Sequence, residues 1–382
     1  MGIQIRGSDD NISASDGSLT INGASFSTLQ VNGQNLPTAG PLSNRNLIIN
    51  GAMLVDQRNS GSSYTITGDT QYTLDRWVAR TYGGSGRFSV QQDGSSPDSI
   101  NPSAKLTVTT TDTPGINGYA FSQRVEGYSF SSLAYGSSSA KAATISFWVR
   151  SSITGTYCFS VRNSDASRSY IAEYSISSAN TWEYKTITIP GATDGTWLTT
   201  NGVGAYLEWN LGAQTSKEAT AGSWQSGNYH ATSSQVDWIA TSGATFYITG
   251  VQLEVGSVAT PFEHRSYGEE LARCQRYFYK HNLTEGSSTI AHGHCATTTL
   301  FIGVIAAPVS FRDTPSVSSS GSFEVVDGTS SFTPSSITLN NNSPTNAFVQ
   351  VRAAISGATQ GRGAFLRPAG DSSATFTLSS EL

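Results

Sequence analysis

Gly250-Val251-Gln252-Leu253-Glu254-Val255-Gly256-Ser257-Val258-Ala259-Thr260-Pro261-Phe262-Glu263-His264-Arg265-Ser266-Tyr267-Gly268-Glu269-Glu270-Leu271-Ala272-Arg273-Cys274-Gln275-Arg276-Tyr277-Phe278-Tyr279 changes period part-way along. Its first residues alternate as a strand does, Pro261 interrupts them, and a spacing of 3.6 follows. Leu271, Cys274, Tyr277 and Phe278 recur at i, i+3, i+6 and i+7, the stripe of one short amphipathic helix. Nearly everything else in the chain reads as strand and turn. The stretch is therefore a joint between two β-domains.

Before the joint, Ala143, Ile145, Phe147 and Val149 alternate with Thr144, Ser146, Trp148 and Arg150, a half-buried strand with Trp148 on its polar side. Tyr157, Phe159 and Val161 repeat the pattern, as do Tyr170, Ala172, Tyr174 and Ile176. Residues 182–189 and 205–211 continue it. Short strands at regular spacing with turn signals between them predict a sandwich or barrel, not βαβ units. In the strand Thr245–Val255, Phe246 and Ile248 share one phase and Val251, Leu253 and Val255 the other, which predicts a β-bulge at Gly250. Beyond the joint, strands are predicted around 288–305, 309–318, 323–326, 337–339, 347–355, 363–367 and 374–379. Residues 1–45 are Gly, Ser, Asn and Asp with isolated hydrophobes, too thin to bury a core alone. Asp16-Gly17 and Asn22-Gly23 are hairpin turns. This segment reads either as a flexible tail or as a shaft completed by identical chains. The expected fold is all-β. Two sandwich domains, 46–265 and 281–382, are joined by a short helix within 266–280 and preceded by a thin β or extended shaft over 1–45.

The chain has 382 residues, of which 13% are charged, about half the usual share. Its 16 Tyr, 16 Phe and 7 Trp supply ample material for packed β-cores. A formal net charge of −5 argues against nucleic acid, which selects basic faces. Cys158, Cys274 and Cys295 are far apart and odd in number, so no disulfide framework is expected. No apolar run approaches the ~18 residues of a membrane span.

Asn46-Leu47-Ile48-Ile49-Asn50-Gly51-Ala52-Met53, followed by Asp56-Gln57-Arg58 and Leu74-Asp75-Arg76-Trp77, resembles the opening of bacteriophage tail-fibre and receptor-binding proteins. Ile145-Ser146-Phe147-Trp148-Val149-Arg150, and Gly250 to Gly256 with Ala259-Thr260 and Phe262-Glu263, are similar to the same group. So is Cys274-Gln275-Arg276-Tyr277-Phe278, which in that group closes a jelly-roll domain like a carbohydrate-binding module. The terminal Glu381-Leu382 is similar to many phage fibre ends. The resemblance covers residues 46–280 and, more faintly, the C-terminal domain. It implies jelly-roll-like sandwiches in a homotrimeric fibre, its N-terminus on a phage baseplate or tail protein and its C-terminus distal. The implied function is non-enzymatic recognition of a host surface polysaccharide or lipopolysaccharide. The opening Met1-Gly2-Ile3-Gln4-Ile5-Arg6-Gly7 has no apolar signal core, so the expectation is synthesis in the host cytoplasm and incorporation into the virion.

Within that frame the loop aromatics and acids are the first candidates: Trp197, Trp209, Trp224, Tyr229, His230 and Trp238, with Asp194, Glu208 and Asp237. Aromatic rings stack on the apolar faces of sugars while acids and amides take the hydroxyls. Trp209 alternates with Leu207 and Leu211 and is expected in the core, leaving Trp197, Trp224 and Tyr229 as the glycan-binding candidates. His292 and His294 share one face of a strand. Three copies at a trimer axis would bring six imidazole groups toward one transition metal, by analogy with some phage fibres. Surface histidines are the alternative. Glu208, Asp237, Glu173 and Glu183 show no spacing that singles out a glycosidase pair, and no nucleophile elbow or phosphate loop is present. Leu271, Cys274 and Phe278 are the candidate trimer interface; packing beneath their own domain is the alternative. A structural virion component and a glycan depolymerase are the second and third functional readings.

Overall fold

The computed structural model describes residues 44–97, 100–113, 118–283, 288–339 and 347–382, and the backbone of strands β1 (Gln30–Val31) and β2 (Gln34–Asn35). The chain divides into two units, Met1–Ala39 and Gly40–Leu382. In the first, β1 and β2 pair antiparallel with Val31 opposite Gln34. The Asp16-Gly17 and Asn22-Gly23 turns, and the choice between tail and shaft, lie outside the described residues.

In the second unit the chain first lays down β3 (Tyr64–Thr65), β4 (Thr70–Tyr72), β5 (Trp77–Arg80), β6 (Arg87–Asp93), β7 (Ser103–Thr110) and β8 (Tyr119–Glu126). A four-residue turn of helix, α1 (Gly127–Phe130), precedes β9 (Ala143–Ser151), β10 (Gly155–Arg162), β11 (Arg168–Ile176) and β12 (Glu183–Ile189). β13 (Val203–Gly212), β14 (Trp224–Ser226) and β15 (Thr245–Val255) complete the set. They form a seven-stranded sheet, β14-β11-β10-β13-β8-β5-β4, and a six-stranded sheet, β12-β9-β15-β7-β6-β3. Every pairing is antiparallel, and the two sheets enclose one jelly-roll-like core. Strand alternation puts Leu207, Trp209 and Leu211 inside, where Trp209 lies 5.0 Å from Phe159 and 5.6 Å from Phe147, ring centre to ring centre. The bulge is where the phase change predicts it. The β15–β9 register slips between Thr249 and Gln252, Gly250 takes φ +61°, and hydrophobes on both sides of the slip stay buried.

Next comes α2 (Tyr267–Gln275), capped by Ser266, whose Oγ accepts the Glu269 N–H, with Glu269 and Glu270 in the first turn and Arg273 in the last. The helix stops before Tyr277, earlier than its apolar stripe predicts. Phe278 already belongs to β16 (Phe278–Lys280), opposite Ser379, so its backbone groups belong to a sheet. Then follow β17 (Ala291–Thr297), β18 (Leu300–Ala306), β19 (Ser316–Ser320), β20 (Phe323–Val326), β21 (Ser331–Phe332), β22 (Ser336–Leu339), β23 (Phe348–Ala354), β24 (Gly363–Pro368) and β25 (Thr375–Ser379). A seven-stranded sheet, β21-β20-β24-β17-β18-β23-β22, and a three-stranded sheet, β16-β25-β19, enclose a second core around Phe301, Val325, Val351, Leu366 and Leu378. The strand expected over 309–318 is confined to β19; ahead of it the Arg312 N–H donates to the Arg276 carbonyl.

Candidate functional site

On the seven-stranded sheet of the first sandwich, the residues between the core-facing positions point outward. Glu208 is one of them, opposite Ser122 on β8 and Ser160 on β10. An outward carboxylate should be solvated. Instead the segments 213–223 and 227–232, on either side of β14, fold over this half of the sheet, Ala213, Ala231 and Tyr229 packing with Cys158 and Ile171, and Glu208 is fully buried. Burial makes an unpaired carboxylate costly, so the neighbours compensate. Glu208 Oε1 accepts from Arg162 at 2.7 Å, from Arg80 at 3.4 Å and from the Tyr82 hydroxyl, and Oε2 lies 2.8 Å from His230 Nδ1.

Burial alone would push this carboxyl up, but Arg162, His230 and Arg80 outweigh it and hold it well below the usual carboxylate range. Burial, joined by the two guanidinium groups, pulls His230 down although Glu208 favours its cation. Burial and Glu208 push the Tyr82 hydroxyl upward, so it stays a donor. The cluster extends through Arg162, which donates to Asn228 Oδ1 at 2.5 Å, and Asn228 in turn lies 3.1 Å from His230 Nε2. Asn210 Nδ2 donates to the His230 carbonyl at 2.7 Å. Above Glu208 lies a hollow bordered by Tyr82, Asn210, Gln214, Lys217, Asn228 and His230. On the same outward face as Glu208, the half-buried Tyr206 ring is approached by the guanidinium groups of Arg162 at 5.2 Å, Arg124 at 5.6 Å and Arg80 at 5.7 Å. The hollow is bordered by a phenol, amide side chains and an ammonium group.

Of the sequence candidates, Glu208 and His230 are brought together here. Trp197 and Trp224 meet elsewhere, edge to face with ring centres 5.5 Å apart. Trp197 is buried against Phe130 and Tyr135, its N–H donating to the Asp194 carbonyl. Trp224 is half-buried, packs on Tyr170 and donates to the Pro190 carbonyl at 2.8 Å. Tyr229 is half-buried under its own loop and is separate from that pair. His292 and His294 are both exposed on the outer face of β17, with Cys295 buried on the other side. Among the described residues no three His, Cys, Asp or Glu of one chain gather as a metal site. Cys274 and Phe278 are buried within the single chain, Phe278 beneath the Arg58 guanidinium, and Leu271 is half-buried.

No family model matches the chain, and no curated protein matches it. Solved structures to which it is similar include the enzymatically active domain of bacteriophage CBA120 tailspike protein 4, at 13% identity over 55% of this chain and 21% of that one, with a TM-score of 0.28. A second is the family 11 carbohydrate-binding module of a cellulosomal cellulase of Clostridium thermocellum, at 12% identity over 54% of this chain and 99% of that one, with a TM-score of 0.26. A third is a putative sugar binding protein of Bacteroides thetaiotaomicron, at 9% identity over 56% of this chain and all of that one, with a TM-score of 0.29. No helix among the described residues is long and apolar enough to cross a membrane.

Sequence reasoning missed Tyr82, Arg162, Tyr206, Lys217 and Asn228. The signal for three of them was present: Arg162 and Tyr206 fall on outward phases of their strands, and Tyr82 follows the outward Arg80 by two residues. What no local pattern carries is the pair of segments that closes over them.

Proposed function

We propose that this chain is a non-enzymatic, glycan-binding module of a bacteriophage tail fibre, carried on the virion as a homotrimer and engaging a host surface polysaccharide or lipopolysaccharide. The observation that carries the binding part is the set of donors gathered on Glu208. Two guanidinium groups and a phenol donate to its Oε1 and the His230 ring lies beside Oε2, so it serves as an anchor that fixes donors. A glycosidase acid needs a carboxyl that is protonated near the working pH, and Glu208 is held in the opposite direction. Preset polar groups suit sugar hydroxyls, because their orientation costs little entropy on binding. The fibre part is supported by the resemblance of the residues around Asn46–Met53, Leu74–Trp77 and Cys274–Phe278. Trimerisation would strengthen a weak site through high effective concentration.

The test uses the full chain with purified host polysaccharide and lipopolysaccharide. Tyr206→Ala and Asn228→Ala should each weaken binding at least tenfold without changing the circular dichroism spectrum, and no reducing ends should appear on prolonged incubation. Release of oligosaccharide would overturn the non-enzymatic reading, and unaltered binding by both variants would overturn the site. Light scattering reads the oligomeric state, and elemental analysis reads any transition metal at His292 and His294.

A further inference from the structure

The opposite face of the first sandwich carries a second aromatic arrangement. On the outside of the six-stranded sheet, Tyr184 stands opposite Trp148 with ring centres 5.2 Å apart. One step further along the same face, Arg150 is opposite Tyr247 and Tyr247 opposite Lys105. Trp182, one residue ahead of β12, leans to 6.0 Å from the Tyr247 ring, and the Arg150 guanidinium lies 5.0 Å from that ring. Tyr184 is exposed, Trp148, Trp182 and Arg150 are half-buried, and Tyr247 forms the floor.

Arg150 differs from most arginines of this sandwich, sharing with Arg87 and Arg124 the lack of an ion pair to an acidic side chain among the described residues. Arg58, Arg76, Arg80, Arg162 and Arg168 each meet a carboxylate. Arg150 donates to Ser95 Oγ at 2.9 Å and meets no carboxylate among the described residues. Lys105 approaches Asp93 only to 3.7 Å. Beyond the Tyr184–Trp148 pair on the same face, the exposed Thr186 carries a hydroxyl where a protein interface would place an aliphatic group.

We propose that this face is a second glycan-binding surface, whose ligand is an acidic polysaccharide bearing carboxylates on its sugar units. The sugars' C–H faces would lie on Trp148, Tyr184 and Trp182, and Arg150 would take the carboxylate, for which a guanidinium is shaped to make paired hydrogen bonds. The surface is on the sheet opposite the Glu208 hollow and does not depend on the reading of that site.

The test measures binding of the full chain to polygalacturonate, alginate, hyaluronan and polysialic acid, with dextran and cellohexaose as neutral probes. At least one acidic polymer should bind. Tyr184→Ala and Trp182→Ala should weaken it tenfold or more. Arg150→Gln, which keeps the stem and its packing, should erase the preference for acidic over neutral probes and the dependence on salt. The Glu208-face variant Asn228→Ala should leave this binding unchanged. Failure of every acidic polymer to bind, or equal binding by Arg150→Gln, would overturn the proposal. So would a change of oligomeric state in Tyr184→Ala at unaltered glycan affinity, which would make the face a contact between chains.

Discussion

Asp75 is fully buried and accepts from the Gln57 backbone N–H at 2.6 Å and from its side-chain amide at 2.7 Å. Burial pushes its carboxyl up to about 6 although Arg58 and Gln57 pull the other way. Because the folded value exceeds the unfolded one, the folded chain holds the extra proton between them. The stability from this group is full below about pH 4 and is lost as pH rises through about 6, on the order of 3 kcal/mol in all. Asp75→Asn removes that dependence. In urea titrations the variant should gain about 3 kcal/mol relative to the parent between pH 4 and pH 7.5, and a constant difference would show an ordinary carboxyl. Glu208 has the opposite sign: its folded value is lowered, so its contribution is present at neutral pH and is lost as pH falls toward the acid range. Glu208→Gln leaves Arg162 and Arg80 facing an uncharged partner and should cost about 3 kcal/mol at pH 7 by denaturant unfolding. The deficit should shrink toward pH 3, and a deficit under 1 kcal/mol at pH 7 would refute the anchor role. The outward phase of Glu208 is legible in the sequence, because Leu207, Trp209 and Leu211 must face the core. Its partners at 80, 82, 162 and 230 are not, since nothing in the neighbourhood of any one of them indicates the others.

At the scale of single elements, legibility follows how local the deciding interaction is. The bulge in β15 could be read because burying Phe246 and Ile248 together with Val251 and Leu253 requires one extra residue, and glycine is the residue that takes φ +61° at low cost. A Cβ at Gly250 would lie 2.6 Å from Ile100 Cδ1. Gly250→Ala should therefore destabilise by about 2 kcal/mol, combining left-handed strain with a forced shift of that methyl, as read by a lowered melting temperature. The start of α2 is set by the Ser266 cap and the two glutamates of its first turn. Ser266→Ala should cost about 1 kcal/mol. The helix end was not legible. Tyr277 and Phe278 continue the apolar stripe, but Phe278 is claimed by β25 and the Tyr277 carbonyl by the Ser380 N–H, partners about a hundred positions later in the chain. A periodic pattern shows which face is buried; only the tertiary partner decides whether the backbone there is coil, helix or strand.

At the scale of the whole second unit, the quoted motifs converge on one buried polar seam between the two cores. The Trp77 N–H donates to the Asn50 carbonyl at 2.9 Å, the Asn50 amide to the Asp75 carbonyl at 3.0 Å, and the Gln57 amide to the Phe278 carbonyl at 3.0 Å. Arg276 reaches Glu126 at 2.7 Å, and the Tyr277 hydroxyl donates to the same carboxylate. Arg76, almost wholly buried, lies 3.6 Å over the Tyr277 ring and pairs with Glu381, which also accepts from Arg58 at 2.8 Å. The joint is therefore held by charge-assisted bonds rather than by a continuous apolar core, which explains why its motifs are rich in Asn, Asp, Gln and Arg. Such a seam is sensitive to one-sided loss. Removing one partner strands the other in a dry site, whereas replacing both with apolar groups of similar size can be nearly neutral. Glu381→Ala should cost about 3–5 kcal/mol in urea unfolding, because Arg76 then has no carboxylate and Arg58 loses its own. Adding Arg76→Met to Glu381→Leu should recover most of that loss. A Glu381→Ala variant as stable as the parent, or a double replacement no better than the single one, would show that shape alone holds the two sandwiches together.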